Sequence, residues 1–311
     1  MNWIKKGLIY KPKEKFFSSH SQLPISIKLK DRVRLFFSGR DKFNRSRPYF
    51  IDLDINNLKK IISKTKGPIL ELGEAGTFDD CGVMPTHIMK YKKNYYMYYI
   101  GWNNRKNIPY SNSVGLALSK DCKNFKKISK APILDRNIFD PFYTGTFTVK
   151  KIKNKFEAIY LSCIGWKKIK KRMEPIYDFK FASSKDAINW NRKGKVAISL
   201  KKNEGGLSAA TIVKFKNIFH MWYSYRGISE FRRKNKNSYR IGYAYSKNFK
   251  NWKRNDKKFN LDLSKSSKDW DFQMMAYPNV IKIKKKLVMF YNGNGFGKSG
   301  IGYAEMNLIE I

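Results

Sequence analysis

Apolar residues along this chain recur with a period of two. Phe156 to Leu161, Phe219 to Tyr225 and Leu287 to Tyr291 are β-branched or aromatic runs bounded by Asn, Gly and Lys turns. That is the pattern of half-buried strands, not of helices with their period of about 3.6. A further kind of strand carries a small residue at its centre: Val114-Gly115-Leu116-Ala117, Phe179-Lys180-Phe181-Ala182, Ile241-Gly242-Tyr243-Ala244 and Ile301-Gly302-Tyr303-Ala304. Three of these continue into Ser119-Lys120-Asp121, Ser184-Lys185-Asp186 and Ser246-Lys247-Asn248, each with an aromatic ring six residues past the serine (Phe125, Trp190, Trp252). Such turns cap their own backbone while the ring packs between sheets. The only helix-like stretch is a turn predicted at 55–63.

These strands repeat with a period near 60 residues. Each copy opens on a strand beside Pro or a small residue, passes a lysine-rich turn, and ends in an aromatic strand. The copies run from Leu23-Pro24 to Arg40, Met84-Pro85 to Trp102, Asp140-Pro141 to Trp166, Ser208-Ala209 to Arg226, and Tyr277-Pro278 to Asn294. Repeats of this kind build one closed array. The pattern predicts an all-β, five-bladed β-propeller of four-stranded antiparallel blades, forming a single domain over residues 1–311. The last copy lacks an outer strand, which Gly7-Leu8-Ile9-Tyr10 is expected to supply, latching the ring. Linker-like stretches at 63–67 and 256–268 do not divide the chain.

Charge changes this picture. Lys and Arg total 65 against 24 Asp and Glu, a formal net charge of +41. Much of it falls in the turns between first and second strands: Lys28 and Lys30, Lys90 to Lys93, Lys150 to Lys155, Lys214 and Lys216, Lys282 to Lys286. Those turns should emerge on one face, opposite any pocket, where they could meet an anionic membrane; lysine-rich drift gives the same composition. Nucleic acid is not expected as a partner. No apolar run reaches the roughly 20 residues of a membrane span, and no signal peptide is recognisable, so the expected location is the cytoplasm, including the inner face of its membrane. Cys81, Cys122 and Cys163 sit at unrelated spacings and read as free thiols.

In a propeller the starts of first strands and the ends of second strands converge on one mouth of the hub. The first set brings His20, Ser21, Gln22, Asp79, Asp80, Asp140, Glu204, Asp271, Gln273 and Tyr277; the second brings Arg40, Trp102, Trp166, Arg226 and Asn292. Carboxylates beside flat rings suit sugars, whose hydroxyls need acceptors and whose C–H faces stack on Trp or Tyr. An Asp before a strand can equally be a turn former. No metal-ligand pair, phosphate loop or nucleotide-binding glycine motif stands out, so no metal or cofactor is expected.

His20 to Pro24, Phe36 to Asp41, Thr77 to Pro85, Tyr98 to Asn103, Met221 to Arg226 and Phe290 to Gly295 resemble, over essentially the whole chain, a group of bacterial glycoside-hydrolase-like five-bladed propellers. The group is related to arabinanases, invertase-like fructosidases and mannoside phosphorylases. The resemblance implies an enzyme making or breaking glycosidic bonds in surface polysaccharide metabolism: a hydrolase, phosphorylase or glycosyltransferase. Asp140-Pro141 matches the blade-three Asp-Pro of the hydrolytic relatives, and Glu204 matches their blade-four acid. His20, Ser21 and Gln22 stand where a first-blade carboxylate would be. The expected site therefore has Asp80, Asp140 or Glu204 as acid, with His20, Gln22, Arg40, Asp79, Trp102, Trp166, Arg226, Tyr277 and Asn292 binding a carbohydrate that is phosphorylated or lipid-linked. His20, Arg40 and Arg226 would hold its anionic group. The alternative is a non-catalytic glycan-binding propeller.

Overall fold

The computed structural model describes residues 1–13 and 17–311, and its regular structure is almost entirely strand. After β1 (Ile4–Tyr10) come β2 (Ser19–Lys28), β3 (Arg32–Arg40), β4 (Ser46–Asp54) and β5 (Ile61–Lys64). A second set is β6 (Gly82–Tyr91), β7 (Asn94–Asn104), β8 (Tyr110–Ser119) and β9 (Lys126–Lys127). The third is β10 (Thr144–Ile152), β11 (Lys155–Ile169), β12 (Arg172–Ser184) and β13 (Asn191–Ile198). The fourth is β14 (Glu204–Phe215), β15 (Ile218–Gly227), β16 (Arg240–Ser246) and β17 (Lys253–Arg254). β18 (Ala276–Ile283), β19 (Lys286–Asn292) and β20 (Ile301–Asn307) complete the chain.

They pair as one four-stranded and two eight-stranded sheets, each larger sheet being two antiparallel sets of four joined by a single parallel pair, Ser46 with Gly82 and Tyr177 with Gly206. β1 lies antiparallel to β20, with Gly7 opposite Tyr303, Leu8 opposite Gly302 and Tyr10 opposite Ile301. The N-terminal segment thus supplies the outer strand the last set lacks. Trp3 anchors it, buried edge-on against Trp222 at 5.7 Å.

The first strand of each set is an edge strand, which explains why Pro24, Pro85 and Pro278 are tolerated there. Its free backbone donors are met by side chains of the neighbouring set. Phe147 N–H donates to Thr86 Oγ1 (3.0 Å), Ala209 N–H to Thr146 Oγ1 (3.0 Å), Val280 N–H to Thr211 Oγ1 (3.1 Å) and Ser26 N–H to Asn279 Oδ1 (2.8 Å). β6, β10, β14, β18 and β2 are stitched side by side in that order, the last set onto the first. Aromatic rings fill the space between sets, as where Trp190 meets Tyr98 and Phe147.

Two sequence expectations need correction. The helical turn expected at 55–63 is instead a loop leading into the outer strand β5. In the third set the innermost strand starts at Thr144, not at Asp140-Pro141. Asp140 is in register with Asp79 and Asp271, as the hydrogen bonds below show. The Ser-x-Asp turns form as expected: Ser119 Oγ donates to Asp121 Oδ1, which accepts the backbone N–H of Lys123 and Asn124. Among the described residues no helix is long and apolar enough to cross a membrane.

Candidate functional site

Each first strand is irregular near its start. Register breaks fall between Gln22 and Ile25, Pro85 and His87, Thr144 and Phe147, Ser208 and Thr211, and Ala276 and Asn279. Leu23, Ala209 and Tyr277 have positive φ there. Bulges bend the strands away from one another at one end, and a cavity of about 200 Å³ opens between them. The lysine-rich turns lie at the other end of the same strands, as their spacing predicts.

The cavity is aromatic and cationic. Tyr110, Tyr143, Tyr177, Tyr239, Tyr277 and Trp102 line it, with Arg40, Arg226, Arg232, Gln22 and Asn112. No carboxylate is among the described lining residues. Arg40 Nη2 donates to Gln22 Oε1 (2.8 Å) and Nη1 to Asn44 Oδ1 (3.0 Å), while its buried Nε has no partner. Burial lowers the Arg40 pKa; Tyr277 opposes this and the Arg232 guanidinium adds to it. Among the described residues Arg40 is therefore a cation held in place by neutral partners, with no carboxylate beside it. Gln22 Nε2 reaches Tyr277 Oη at 3.4 Å. The Trp102 ring lies 6.0 Å from the Arg40 guanidinium carbon, over Gly82, where any Cβ would collide with the indole.

Arg226 forms the floor, almost fully buried. It donates to Tyr177 Oη (3.0 Å), Gly227 O (2.9 Å) and Pro175 O (2.6 Å), with Phe231 stacked 3.9 Å away. The Tyr177 and Tyr239 hydroxyls are hydrogen-bonded to each other. Burial raises the Tyr177 pKa well above the ordinary tyrosine range, with the Arg226 charge working against that shift. Only Arg232 has an acidic partner: Glu174, outside the cavity, takes its Nε at 3.1 Å and Nη2 at 3.3 Å.

Of the residues expected from sequence, Gln22, Arg40, Trp102, Arg226 and Tyr277 come together here. Trp166 stands behind the wall, against Tyr110 and Tyr143 at 5.9 and 5.8 Å. His20 lies beside the cavity, its Nδ1 2.7 Å from Ser19 Oγ. Burial, then Arg40 and Lys298, depress its pKa to about 4, so the ring is neutral near pH 7. Asn292 is a bracket: its amide donates to Ser21 O (2.7 Å) and Gly300 O (3.0 Å), and its Oδ1 accepts Leu23 N–H (2.8 Å).

Asp79, Asp80, Asp140 and Glu204 are not among the described residues that line the cavity. Asp79, Asp140 and Asp271 each accept the hydroxyl of a tyrosine 20 residues further on: Tyr99 at 3.1 Å, Tyr160 at 3.0 Å, Tyr291 at 3.0 Å. Each also meets a cation: Lys127 at 2.7 Å for Asp79, Arg192 at 2.6 Å and Lys180 at 3.2 Å for Asp140, Lys5 at 2.7 Å for Asp271. Asp140 takes Ser162 Oγ as well (2.7 Å). In the fourth set Asp256 plays this part, accepting Tyr223 Oη (2.6 Å) and Arg254 Nε (2.8 Å). Glu204 is clasped by Arg254 through both carboxylate oxygens, at 2.5 and 2.7 Å. Buried carboxylates bound by cations and hydroxyls from other strands hold those strands together. Asp80 sits in the preceding loop, bound to Asn103 Nδ2 (2.8 Å) and Gly76 N–H (3.1 Å); burial opposes its charge, but these bonds outweigh it and lower the carboxyl pKa.

Sequence reasoning missed Tyr110, Asn112, Tyr143, Tyr177, Phe231, Arg232, Tyr239 and Phe296. Several lie where second strands turn into third strands, an end that shares the cavity mouth but was not read. The 228–239 loop, which brings Phe231, Arg232 and Tyr239, carries its own signal in the run Phe231-Arg232-Arg233.

All-β sheets set side by side around an aromatic cavity are what glycoside-hydrolase-like β-propellers present. Solved structures agree. A glycoside hydrolase superposes with a TM-score of 0.74 at 19% identity, covering 97% of this chain and 90% of that one. A GH130 structure, described among mannoside phosphorylases and hydrolases that target β-1,2 mannosidic linkages in Candida mannan, gives 0.74 at 16%, covering 98% and 94%. The β-1,2-mannobiose phosphorylase from Listeria innocua gives 0.70 at 13%, covering 100% and 98%. No family model matches the sequence. The uncharacterized protein Rv1502 of Mycobacterium tuberculosis is 30% identical over 98% of this chain and 99% of its own length, and the chain belongs to its family, with the fold of the glycoside-hydrolase-like propellers.

Proposed function

We propose that the chain is a five-bladed propeller, a single domain latched by β1, that processes an anionic glycan in its hub cavity by transfer or phosphorolysis. The single observation that carries this reading is a cavity with three guanidinium groups and no carboxylate among its described lining residues. Hydrolysis by the usual scheme needs two carboxyl groups flanking the bond. Phosphorolysis dispenses with the base carboxylate because the phosphate anion attacks directly, and in transfer from a phosphorylated donor the leaving phosphate can take the proton of the acceptor hydroxyl. Arg40, with an unused donor and no counter-ion, is placed to bind a phosphate or sugar carboxylate, helped by Arg232. Trp102 and the tyrosines offer faces for the sugar ring.

Arginine does not give up its proton, so tyrosine hydroxyls are the ionisable donors in the lining. The Tyr177–Tyr239 pair would donate the proton to the leaving oxygen, with Arg226 stabilising the phenolate left behind against the burial that disfavours it. A phosphorylated or lipid-linked sugar fits this cavity best. The same lack of carboxylates favours one other reading, a glycan-binding propeller without turnover.

Incubating the protein with sugar 1-phosphates and acceptor glycans, while following inorganic phosphate, separates the two. The proposed enzyme releases phosphate, and Tyr239→Phe lowers kcat by about 100-fold, within the range of general acid catalysis, while KM changes little. Glycan binding in a thermal-shift assay with no phosphate release in the parent protein would establish the binding module instead.

A further inference from the structure

The rim of the cavity carries a second feature that the glycan reading does not use. Large apolar side chains stand out from the third set of strands: Ile138 is 88% exposed, Ile164 43%, Phe142 40% and Phe139 38%. Cys163 N–H donates to Tyr143 O (2.9 Å), which puts Phe142 and Ile164 next to one another at the ends of that link. This exposure is enforced. Asn137 Oδ1 accepts the N–H of both Phe139 and Asp140 (2.9 Å each), Lys180 Nζ holds Phe139 O (2.5 Å), and Arg192 and Lys180 clamp the Asp140 carboxylate. A buried ion cluster thus fixes a turn that pushes Ile138 and Phe142 into water.

Directly beyond Ile164, β11 and β12 run on as a hairpin past the cavity-lining Leu161 and Tyr177. Its exposed tip carries Lys167, Lys168 and Lys171, none of which has a carboxylate partner among the described residues. The 228–239 loop, tied to this hairpin by the Lys170–Glu230 pair, adds the exposed Arg233 and Lys236. By contrast, none of the exposed large hydrophobic residues lies in the lysine-rich turns at the opposite end. At that end the exposed Ile309 stands beside Lys285 as a single apolar side chain, not as a cluster.

Stable attachment to a bilayer takes two signals, apolar insertion and attraction to anionic headgroups. We infer that the third-set rim, through Ile138, Phe142 and Ile164 flanked by Lys167, Lys168 and Lys171, docks on an anionic lipid bilayer, so that the cavity mouth opens toward the membrane surface. This deepens the substrate reading, since a lipid-linked sugar would be presented to that mouth. It does not depend on turnover.

Vesicle flotation tests it without any activity assay. The full chain is mixed with 1:1 phosphatidylglycerol–phosphatidylcholine vesicles, or with phosphatidylcholine alone, at low and high salt. Binding is expected to the anionic vesicles only, weakening with salt. Lys167→Gln, Lys168→Gln and Lys171→Gln together should lower the partition constant about 100-fold, near fivefold per lysine. Ile138→Ser with Phe142→Ser and Ile164→Ser should lower it by at least roughly tenfold. A control with Lys90→Gln, Lys92→Gln, Lys214→Gln and Lys216→Gln at the far end should stay within about twofold, because charges beyond a Debye length of about 10 Å are screened. All changed side chains are exposed or half-exposed, and an unaltered melting temperature confirms folding. Absence of vesicle binding, wild-type binding by either rim variant, or a loss confined to the far-end variant would overturn the inference. So would tight binding of a DNA oligonucleotide in place of vesicles.

Discussion

Arg40 and Asp140 show how far a residue's surroundings outrank its type. Asp140 looks like a catalytic acid, yet it is spent on Tyr160, Ser162, Lys180 and Arg192. Arg40 is a plain strand-end cation in sequence, yet it enters the cavity unpaired. Asp140→Asn should therefore cost about 3–5 kcal/mol of stability, the usual loss when one partner of a buried ion pair is removed; chemical denaturation measures it. Arg40→Ala should leave the melting temperature within a few degrees and abolish phosphate-dependent ligand shifts. The three histidines supply a pH prediction. Burial depresses His20 and His220 to about 4 and His87 to about 3. The unfolded chain then binds more protons below about 6.5, and stability is lost as pH falls from there, by up to about 1.4 kcal/mol per pH unit for each ring. Buried Asp178, raised by burial to about 6, acts oppositely between about 6 and 4. Urea midpoints should fall between pH 6.5 and 4; a flat profile would contradict these environments.

At the scale of elements, the N-terminal strand carries the sharpest expectation. β1 pairs with β20 along its length, Trp3 is buried against Trp222, and Lys5 neutralises Asp271. Trp3→Ala should cost about 3–5 kcal/mol, as for other buried aromatic truncations, and removal of residues 1–12 should lower the melting temperature more. An unchanged melt in the truncated chain would mean that β1 contributes no latch. Strand identity, the Ser-x-Asp turns and the latch were legible in the sequence because each depends on local pattern: period two, turn chemistry, a missing outer strand. The role of the Asp-to-Tyr pairs was also written there, as a spacing of 20 residues used three times. It went unread because alignment on Asp140-Pro141 set the third repeat out of phase.

For the whole molecule, the surplus of 65 basic over 24 acidic residues is spread over both ends of the ring. Total charge says little about where a partner binds. Location follows from coincidence: at the cavity rim lysines stand beside a cluster of exposed Ile and Phe, and inside the cavity guanidinium groups face open space with no carboxylate among the described lining residues.

The sequence by itself determined the strands, their grouping and the N-terminal pairing, because alternation of apolar residues and turn-forming residues acts between near neighbours. Tertiary structure alone decided which polar groups remain free. Whether a carboxylate is an acid or a strut depends on which cations and hydroxyls distant strands bring within about 3 Å of it, and no local pattern contains that distance.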